Sequence, residues 1–265
     1  MRRFVSGIVA ACGLATAASA DVRLNELFIN PPGTDNGQEF FELAGPAGSS
    51  LAGYSLIFIE GDATAAGLID KIIDLSSYSI GANGLLLWRD AVSTIDTSTA
   101  AGVQGPSAGT TVVNVDFNPD IENGTQTYLL VRSFTGSLNQ DLDTNNDGVL
   151  DLTPWASIAD GIALVENDVD SGNTGYASGL GFFQWTSPDF NADAFIRGVN
   201  NAWYASDVLG TNPGGPYSLD ATRNNSGLSN AGDFVLTPGV ANSIPTPGTL
   251  ALVGLAGLVA GKRRR

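Results

Sequence analysis

The sequence predicts an all-β protein whose main domain is an antiparallel β-sandwich. Short apolar runs are separated by Gly, Asn, Asp and Pro, which is typical of strands joined by turns. Apolar residues spaced at i, i+3, i+4 and i+7, the pattern of an amphipathic helix, are largely missing. Short strands without helical periodicity favour two packed sheets over a mixed α/β architecture.

The segment between residues 21 and 242 is predicted to be one domain, because no long low-complexity linker and no repeat of fixed period divides it. Apolar and β-branched residues bounded by turn residues place strands along this segment. In chain order the predicted strands are 23–29, 39–43, 54–60, 84–89, 111–115, 127–132, 158–164 and 234–236.

The first 20 residues are predicted to be a secretory signal peptide. Arg2 and Arg3 precede an apolar run, and the run ends in small residues that include Ala18 and Ala20. This order of basic, apolar and small residues is the one that the export machinery and signal peptidase recognise. Cleavage after Ala20 would leave a mature chain that begins at Asp21.

The last 23 residues, 243–265, combine three elements in a fixed order. Pro245, Thr246 and Pro247 precede a short apolar helix, and the chain then ends in four cations, Lys262, Arg263, Arg264 and Arg265. A helix that crosses the full hydrocarbon core needs about 20 apolar residues, so this helix is short for a permanent span. The terminal cations would stay on the cytoplasmic side.

This tail resembles the PEP-CTERM sorting signal of bacteria, in which a Pro-x-Pro motif, a short apolar helix and an Arg-rich end are recognised by an exosortase. Thr246 stands where most members of the family have Glu. The resemblance implies cleavage near Pro247 by an exosortase-like enzyme, and release or re-attachment at the cell surface or in the extracellular matrix. The alternative is an ordinary C-terminal membrane anchor.

Composition narrows the chemistry of the exported domain. All 27 acidic residues lie between the two targeting segments, with only six of the 12 cations, so the mature domain carries a net charge near −21. Such a domain repels nucleic acid and attracts divalent cations. The chain has no His, and its one Cys, Cys12, lies in the signal peptide. We therefore expect no thiol, disulfide or imidazole chemistry, and no enzymatic activity.

Four segments resemble bacterial lamin-tail-like domains. They are LNELFINPPGTDNGQEFFEL at 24–43, LAGYSLIFIEGD at 51–62, LSSYSIGANGLLLW at 75–88 and LTPGVAN at 236–242. The resemblance implies an immunoglobulin-like sandwich across 21–242 that carries a long insertion in its middle.

The sequence DTNNDGVLD, at 143–151, predicts a Ca²⁺ site. Alternate hard oxygen donors on a tight turn match the first positions of an EF-hand loop, and Gly148 permits the positive φ that the turn requires. The predicted ligands are Asp143, Asn145, Asp147, the carbonyl of Val149, and Asp151. Pro154 stands where an EF-hand has a bidentate Glu, so Asp141, Asp160 or water must complete the shell. The alternative is an acidic turn without metal.

Other acidic and aromatic clusters are expected to be structural. The acidic loops at 116–124 and 166–175 are interpreted as solvated turns. Glu26, Glu39 and Glu42 are interpreted as structural or solvated carboxylates. A cluster of aromatic residues is expected to fill the core and not to form a glycan-stacking platform; it comprises Phe182, Phe183, Trp185, Trp203 and Tyr204.

These observations favour an exported, non-enzymatic β-sandwich that acts as a structural, adhesive or partner-binding component of the cell surface or matrix. An extracellular polysaccharide or a surface protein is the expected partner, and nucleic acid is not. The alternative function is a secreted hydrolase that uses paired carboxylates, for example on glycans, or an accessory module of such an enzyme. A cleft in which a desolvated Glu faces a second carboxylate would favour the hydrolase.

Overall fold

The computed structural model describes residues 21–33, 37–90, 105–166, 172–187, 191–210, 217–225 and 236–242. In these ranges the chain forms strands and one short 3₁₀ turn, Ser178–Leu180. The strands are β1 (Arg23–Phe28), β2 (Phe40–Ala44), β3 (Tyr54–Glu60), β4 (Ile69–Asp74), β5 (Leu85–Arg89), β6 (Thr111–Asn114), β7 (Gln126–Arg132), β8 (Ser157–Val165), β9 (Phe183–Thr186), β10 (Ala194–Arg197), β11 (Trp203–Gly210) and β12 (Tyr217–Asn224). The protein is therefore all-β, as the sequence predicts.

The strands form two sheets. The seven-stranded sheet has the order β12-β11-β10-β1-β2-β5-β6, and the five-stranded sheet has the order β4-β3-β7-β8-β9. Two pairs are parallel, β5 with β6 and β8 with β9, so the prediction of purely antiparallel sheets is wrong. A parallel pair requires a connection long enough to return to the starting end of the sheet, and residues 90–110 and 166–182 are long enough for this.

Seven of the predicted strands are present, with ends within one residue of the predicted ones. Of the predicted strand at 234–236, only Leu236 lies in the described part of the chain, where it is buried. Five strands were missed: β4, β9, β10, β11 and β12. The predicted terminal helices, in 1–20 and 243–265, lie outside the described residues, and among the described residues no helix is long and apolar enough to cross a membrane.

The main core lies between the two sheets. Leu24, Phe41 and Trp88 from the seven-stranded sheet share one apolar cluster with Phe58 and Tyr128 from the five-stranded sheet. Phe58 and Tyr128 are cross-strand partners, with ring centroids 5.0 Å apart in an edge-to-face arrangement. Face-to-face burial of this kind is consistent with a β-sandwich.

Each sheet also has a buried outer face. Phe28 and Phe40 lie opposite each other on the outer side of the seven-stranded sheet and cluster with Leu236 from the C-terminal end of the described chain. On the outer side of the five-stranded sheet, Ile57 and Leu129 cluster with residues of the segment that contains Leu142. The acidic loop at 143–151 is therefore held against an apolar sheet face.

Candidate functional site

The predicted Ca²⁺ loop is anchored at its start and exposed along the rest. Leu142 is fully buried and Asp143 is 1% exposed, whereas Asn145, Asp147 and Val149 are exposed. The exposed residues face solvent because the loop turns away from the sheet directly after Asp143. The loop thus combines a buried first acid with an exposed remainder.

Asp143 organises the turn through both of its carboxylate oxygens. Oδ1 accepts the N–H of Asp147 at 3.1 Å, and Oδ2 accepts the N–H of Gly148 at 2.9 Å and the hydroxyl of Tyr176 at 3.0 Å. Burial and the hydrogen bond to Asp143 raise the pKa of the Tyr176 hydroxyl, so it remains a donor. Gly148 has φ of 84°, the left-handed conformation that the sequence predicts for it.

The remaining predicted ligands are engaged within the loop. Asn145 Nδ2 donates to Asp147 Oδ2 at 3.2 Å, and the Thr144 hydroxyl donates to Asp151 Oδ2 at 2.6 Å. Asp143, Asp147 and Asp151 do not bring one oxygen each within 4.8 Å of one another. Ca²⁺ binding by this loop stays a prediction.

The two acidic residues suggested as extra ligands differ in position. Asp141 is close, because its Oδ1 accepts the N–H of Asp143 at 3.0 Å. Asp160 lies opposite Leu130 on the inner face of the five-stranded sheet, where it pairs with Arg197. The loop lies on the outer face of the same sheet, so Asp160 is unsuitable as a ligand.

A second group of carboxylates was missed by the sequence analysis. Within the described ranges, the group of three acidic residues whose oxygens lie within 4.8 Å of one another consists of Glu60, Asp62 and Glu122. Glu60 ends β3, and Glu122 belongs to the loop 116–124 that the sequence analysis assigned to a solvated turn. Glu60 and Asp62 are far from Glu122 in the sequence, so no local motif reveals this group. The one available signal is the acidic pair that directly follows the apolar strand β3.

Glu26 and Glu42 form a third acidic arrangement, on the outer face of the seven-stranded sheet. They are paired across β1 and β2, and both are fully buried. Burial raises the pKa of Glu26 to about 7, and burial together with the charge of Glu26 raises the pKa of Glu42. At neutral pH the pair therefore retains a proton.

All four oxygens of this pair accept hydrogen bonds from the protein. Thr237 donates its N–H to Glu26 Oε1 at 3.0 Å and its hydroxyl to Glu26 Oε2 at 2.6 Å. Asn25 Nδ2 donates to Glu42 Oε1, and the N–H of Gly239 donates to Glu42 Oε2 at 2.6 Å. We call Glu26, Glu42 and residues 236–242 the C-terminal latch. Its carboxylates are enclosed and do not line a cleft.

A surface groove lies beside this latch. It has a volume of about 560 Å³, and its lining includes Arg23, Asn83, Arg197, Asn201 and Asn242. Among the described residues, Arg23 Nε is buried without a hydrogen-bond partner. The groove is thus lined by amide and guanidinium groups on an otherwise strongly acidic domain, and those of Asn83, Arg197 and Asn242 already donate to protein oxygens.

Arg197 is held in that groove wall by a buried ion pair. Its Nη2 donates to Asp160 Oδ2, its Nε donates to the Leu24 carbonyl at 2.8 Å, and its guanidinium lies 4.3 Å from the centroid of the Trp203 ring. The side chains of Arg197 and Asp160 are 7% and 10% exposed. Burial raises the pKa of Asp160, and the opposing charge of Arg197 limits that rise.

The aromatic residues considered for glycan stacking are distributed between the cores, as expected. Trp203 belongs to the core between the sheets, and Tyr204 belongs to the outer cluster with Phe28. Phe183 and Trp185 are half-buried against the core between the sheets. They do not form one exposed platform.

The residues predicted to direct sorting lie outside the described part of the chain. They are Ala18, Ala20, Pro245, Thr246, Pro247, Arg263, Arg264 and Arg265. Comparisons of the chain with models of known families, with curated proteins and with solved structures found no match. Functional residues are therefore identified here by their own burial and contacts.

Proposed function

We propose that this protein is an exported component of the cell surface or extracellular matrix, whose β-sandwich serves as a structural, adhesive or partner-binding module. Signal peptidase would remove residues 1–20, and an exosortase-like enzyme would process the tail near Pro247. The observation that carries the proposal is the C-terminal latch, which fixes the last described segment to the sheet immediately before the tail.

The latch suits a domain that is held by its C-terminus. Asn242, the last described residue, donates from Nδ2 to the carbonyls of Asn25 at 3.0 Å and Arg197 at 2.9 Å. Force applied to an attached tail would therefore reach β1 and β10 through several buried hydrogen bonds. Removing the Asn242 side chain leaves these two buried backbone carbonyls without that donor, which is costly.

The enclosed state of Glu26 and Glu42 favours this function over a carboxylate-dependent hydrolase. A glycosidase needs two carboxyl groups about 5 to 9.5 Å apart with room between them for a sugar or a water molecule. Here each carboxylate is occupied by protein donors, and the chain segment 237–239 covers both. A buried pair in this setting stabilises a segment and does not meet a substrate.

The proposed fold identity is an immunoglobulin-like, lamin-tail-like sandwich with an insertion. Its support is that two segments of the resemblance, 24–43 and 75–88, supply the strands β1, β2 and β5, which are adjacent in one sheet. The closing LTPGVAN segment packs on the same sheet. The region 133–156, which contains the predicted Ca²⁺ loop, would be part of the insertion, and Ca²⁺ would have a structural role there.

The groove beside the latch is the proposed contact surface for an extracellular polysaccharide or a surface protein. Its support is that amide and guanidinium side chains line it, and that among the described residues Arg23 Nε has no hydrogen-bond partner. Residues 243–265 would hold the domain at the membrane at least transiently.

Deletion of residues 243–265 in the native host tests the proposal. The truncated chain should be exported and found in the medium, whereas the intact gene product should fractionate with the cell envelope or matrix. Retention of the truncated chain in the cytoplasm, or equal distribution of both chains, would contradict it.

A further inference from the structure

Glu60, Asp62 and Glu122 lie at one end of the five-stranded sheet, where β3 ends and β7 begins. They pass from buried to exposed: Glu60 is 8% exposed, Asp62 is half-buried and Glu122 is exposed. One oxygen of each lies within 4.8 Å of the others. The three side chains therefore form a cluster that extends from the exposed Glu122 to the buried Glu60.

Backbone contacts fix two of the three carboxylates. Glu60 Oε1 accepts the N–H groups of Gly61 at 2.8 Å and Asp62 at 2.9 Å, and Asp62 Oδ1 accepts the N–H of Thr125 at 3.2 Å. The loop is closed tightly around them, because a Cβ on Gly124 would lie 3.0 Å from Asp62 Oδ2. These contacts use one oxygen of each carboxylate and orient the other.

The buried side chain of Gln126, which is not acidic, provides separate evidence for a ligand at this position. Gln126 lies directly opposite Glu60 across β3 and β7, so the two side chains share one face about 5 Å apart at Cβ. Gln126 is fully buried, and its Nε2 donates to Asp70 Oδ2 at 3.0 Å. Among the described residues its Oε1 has no hydrogen-bond partner.

Tyr128, the next residue along the same face of β7, also has a buried polar atom without a partner. It is fully buried, and its hydroxyl has no hydrogen-bond partner among the described residues. Its pKa is raised by burial, and then by the charges of Glu39, Glu122, Asp70 and Glu60. Buried polar atoms without partners are rare and destabilising, so two of them beside one acidic cluster indicate a missing ligand.

The donor chemistry selects the ligand. Carboxylate, amide and hydroxyl oxygens are hard donors that suit Ca²⁺, and no nitrogen or sulfur donor belongs to the group. The nearby cation is Lys71, whose Nζ donates to the Pro119 carbonyl.

We propose that Glu60, Asp62 and Glu122 bind a Ca²⁺ ion, with Gln126 Oε1 as a further ligand and the Tyr128 hydroxyl as a partner of metal-bound water. This site would join the end of β3 to the loop before β7. It is distinct from the predicted loop at 143–151, which lies on the outer face of the same sheet.

Ca²⁺ titration of the full-length chain by calorimetry tests this proposal. Glu122→Gln should weaken one class of Ca²⁺ site by about tenfold or more, because it removes a ligand at an exposed position. Asp62→Asn should have the same effect and provides a second variant if the first folds poorly. The matched control is Asp116→Asn, which removes one exposed charge from the same loop outside the cluster and should leave affinity unchanged.

Asp147→Ala separates the two candidate sites. If the proposal is correct, Ca²⁺ binding to the Glu60 cluster persists in Asp147→Ala. Titration curves of folded Glu122→Gln and Asp62→Asn that superimpose on the unmodified chain would overturn the proposal. Complete loss of Ca²⁺ binding in Asp147→Ala, or no Ca²⁺ binding by the unmodified chain, would overturn it equally.

Discussion

Glu26 and Glu42 face each other across β1 and β2, and their four oxygens accept hydrogen bonds from Thr237, Gly239 and Asn25. Like charges directly opposite each other in a sheet are destabilising, and burial strengthens the effect. The pair is tolerated because it retains a proton and because residues 237–239 supply donors. Two acidic residues inside a sheet thus attach the C-terminal segment.

The first prediction concerns the pH dependence of stability. Because the folded-state pKa of Glu26 is raised from 4.5 to about 7, the folded protein binds more protons than the unfolded chain between these values. Its contribution to stability is complete below pH 4.5 and is lost as pH rises through 7. We expect Glu26 by itself to lower the free energy of unfolding by about 1 kcal/mol per pH unit in this window.

Glu26→Gln should flatten this dependence, as measured by urea denaturation at several pH values. Burial also raises the pKa of Asp193 to about 9, so the unmodified protein has a further decline that the variant keeps. The quantity to compare is therefore the difference in slope between the two proteins. Parallel pH profiles between 4.5 and 7 would contradict the assignment of this proton to the pair.

The second prediction concerns the ion pair between Arg197 and Asp160. Arg197→Met should lower the free energy of unfolding by about 3 to 5 kcal/mol, because it leaves a buried carboxylate without its cation. Combination with Asp160→Asn should recover at least about 1 kcal/mol, since the uncompensated charge is removed. Equal stability of the single and double variants in urea denaturation would argue against a coupled buried pair.

The third prediction compares two glycines, Gly53 and Gly67, that both have a positive φ. Gly67 has φ of 91°, and a Cβ there would lie 2.8 Å from Asp143 Cβ; Gly53 has φ of 79° and no atom within 4 Å of such a Cβ. Gly53→Ala should cost about 1 kcal/mol from backbone strain alone. Gly67→Ala should cost about 1 to 3 kcal/mol more, because Asp143 must move. If thermal denaturation shows the same loss of stability for Gly53→Ala and Gly67→Ala, the turn at Asp143 can move without cost, and the prediction is contradicted.

The fourth prediction concerns the loop at 143–151. EDTA should lower the melting temperature of the full-length chain, and Asp147→Ala should reduce that difference, because Asp147 is a predicted ligand. Addition of Glu122→Gln should abolish the remainder. Differential scanning calorimetry with and without Ca²⁺ measures both effects. A melting temperature that is insensitive to EDTA in the unmodified chain would exclude a structural Ca²⁺ ion.

Much of the strand framework could be predicted from the sequence, because β1, β3 and β7 are short apolar runs between turn residues. β4 was missed because its sequence, IDKIID, does not alternate regularly between apolar and polar residues. The irregularity coincides with a β-bulge in its pairing with β3. β12 is largely polar, β11 has Ser206 and Asp207 between its apolar residues, and the pairing of the two strands is interrupted by a register shift. The two parallel pairs join strands that are distant along the chain, and local pattern does not reveal such partners.

Some of the candidate sites could be predicted from the sequence and others could not. The turn around Asp143 could be predicted because its donors lie within nine consecutive residues. Glu60 and Glu122 come together only through the pairing of β3 with β7, so no local motif marks them. The burial of Glu26 and Glu42 also depends on a segment about 200 residues further along the chain.

Mass spectrometry of both termini of the protein isolated from its native host tests the central claim most directly. We expect a surface or matrix protein that begins at Asp21 and lacks residues 262–265. An intact C-terminus in the surface fraction would contradict processing and leave an ordinary anchor. A cytoplasmic protein that still begins at Met1 would contradict export itself.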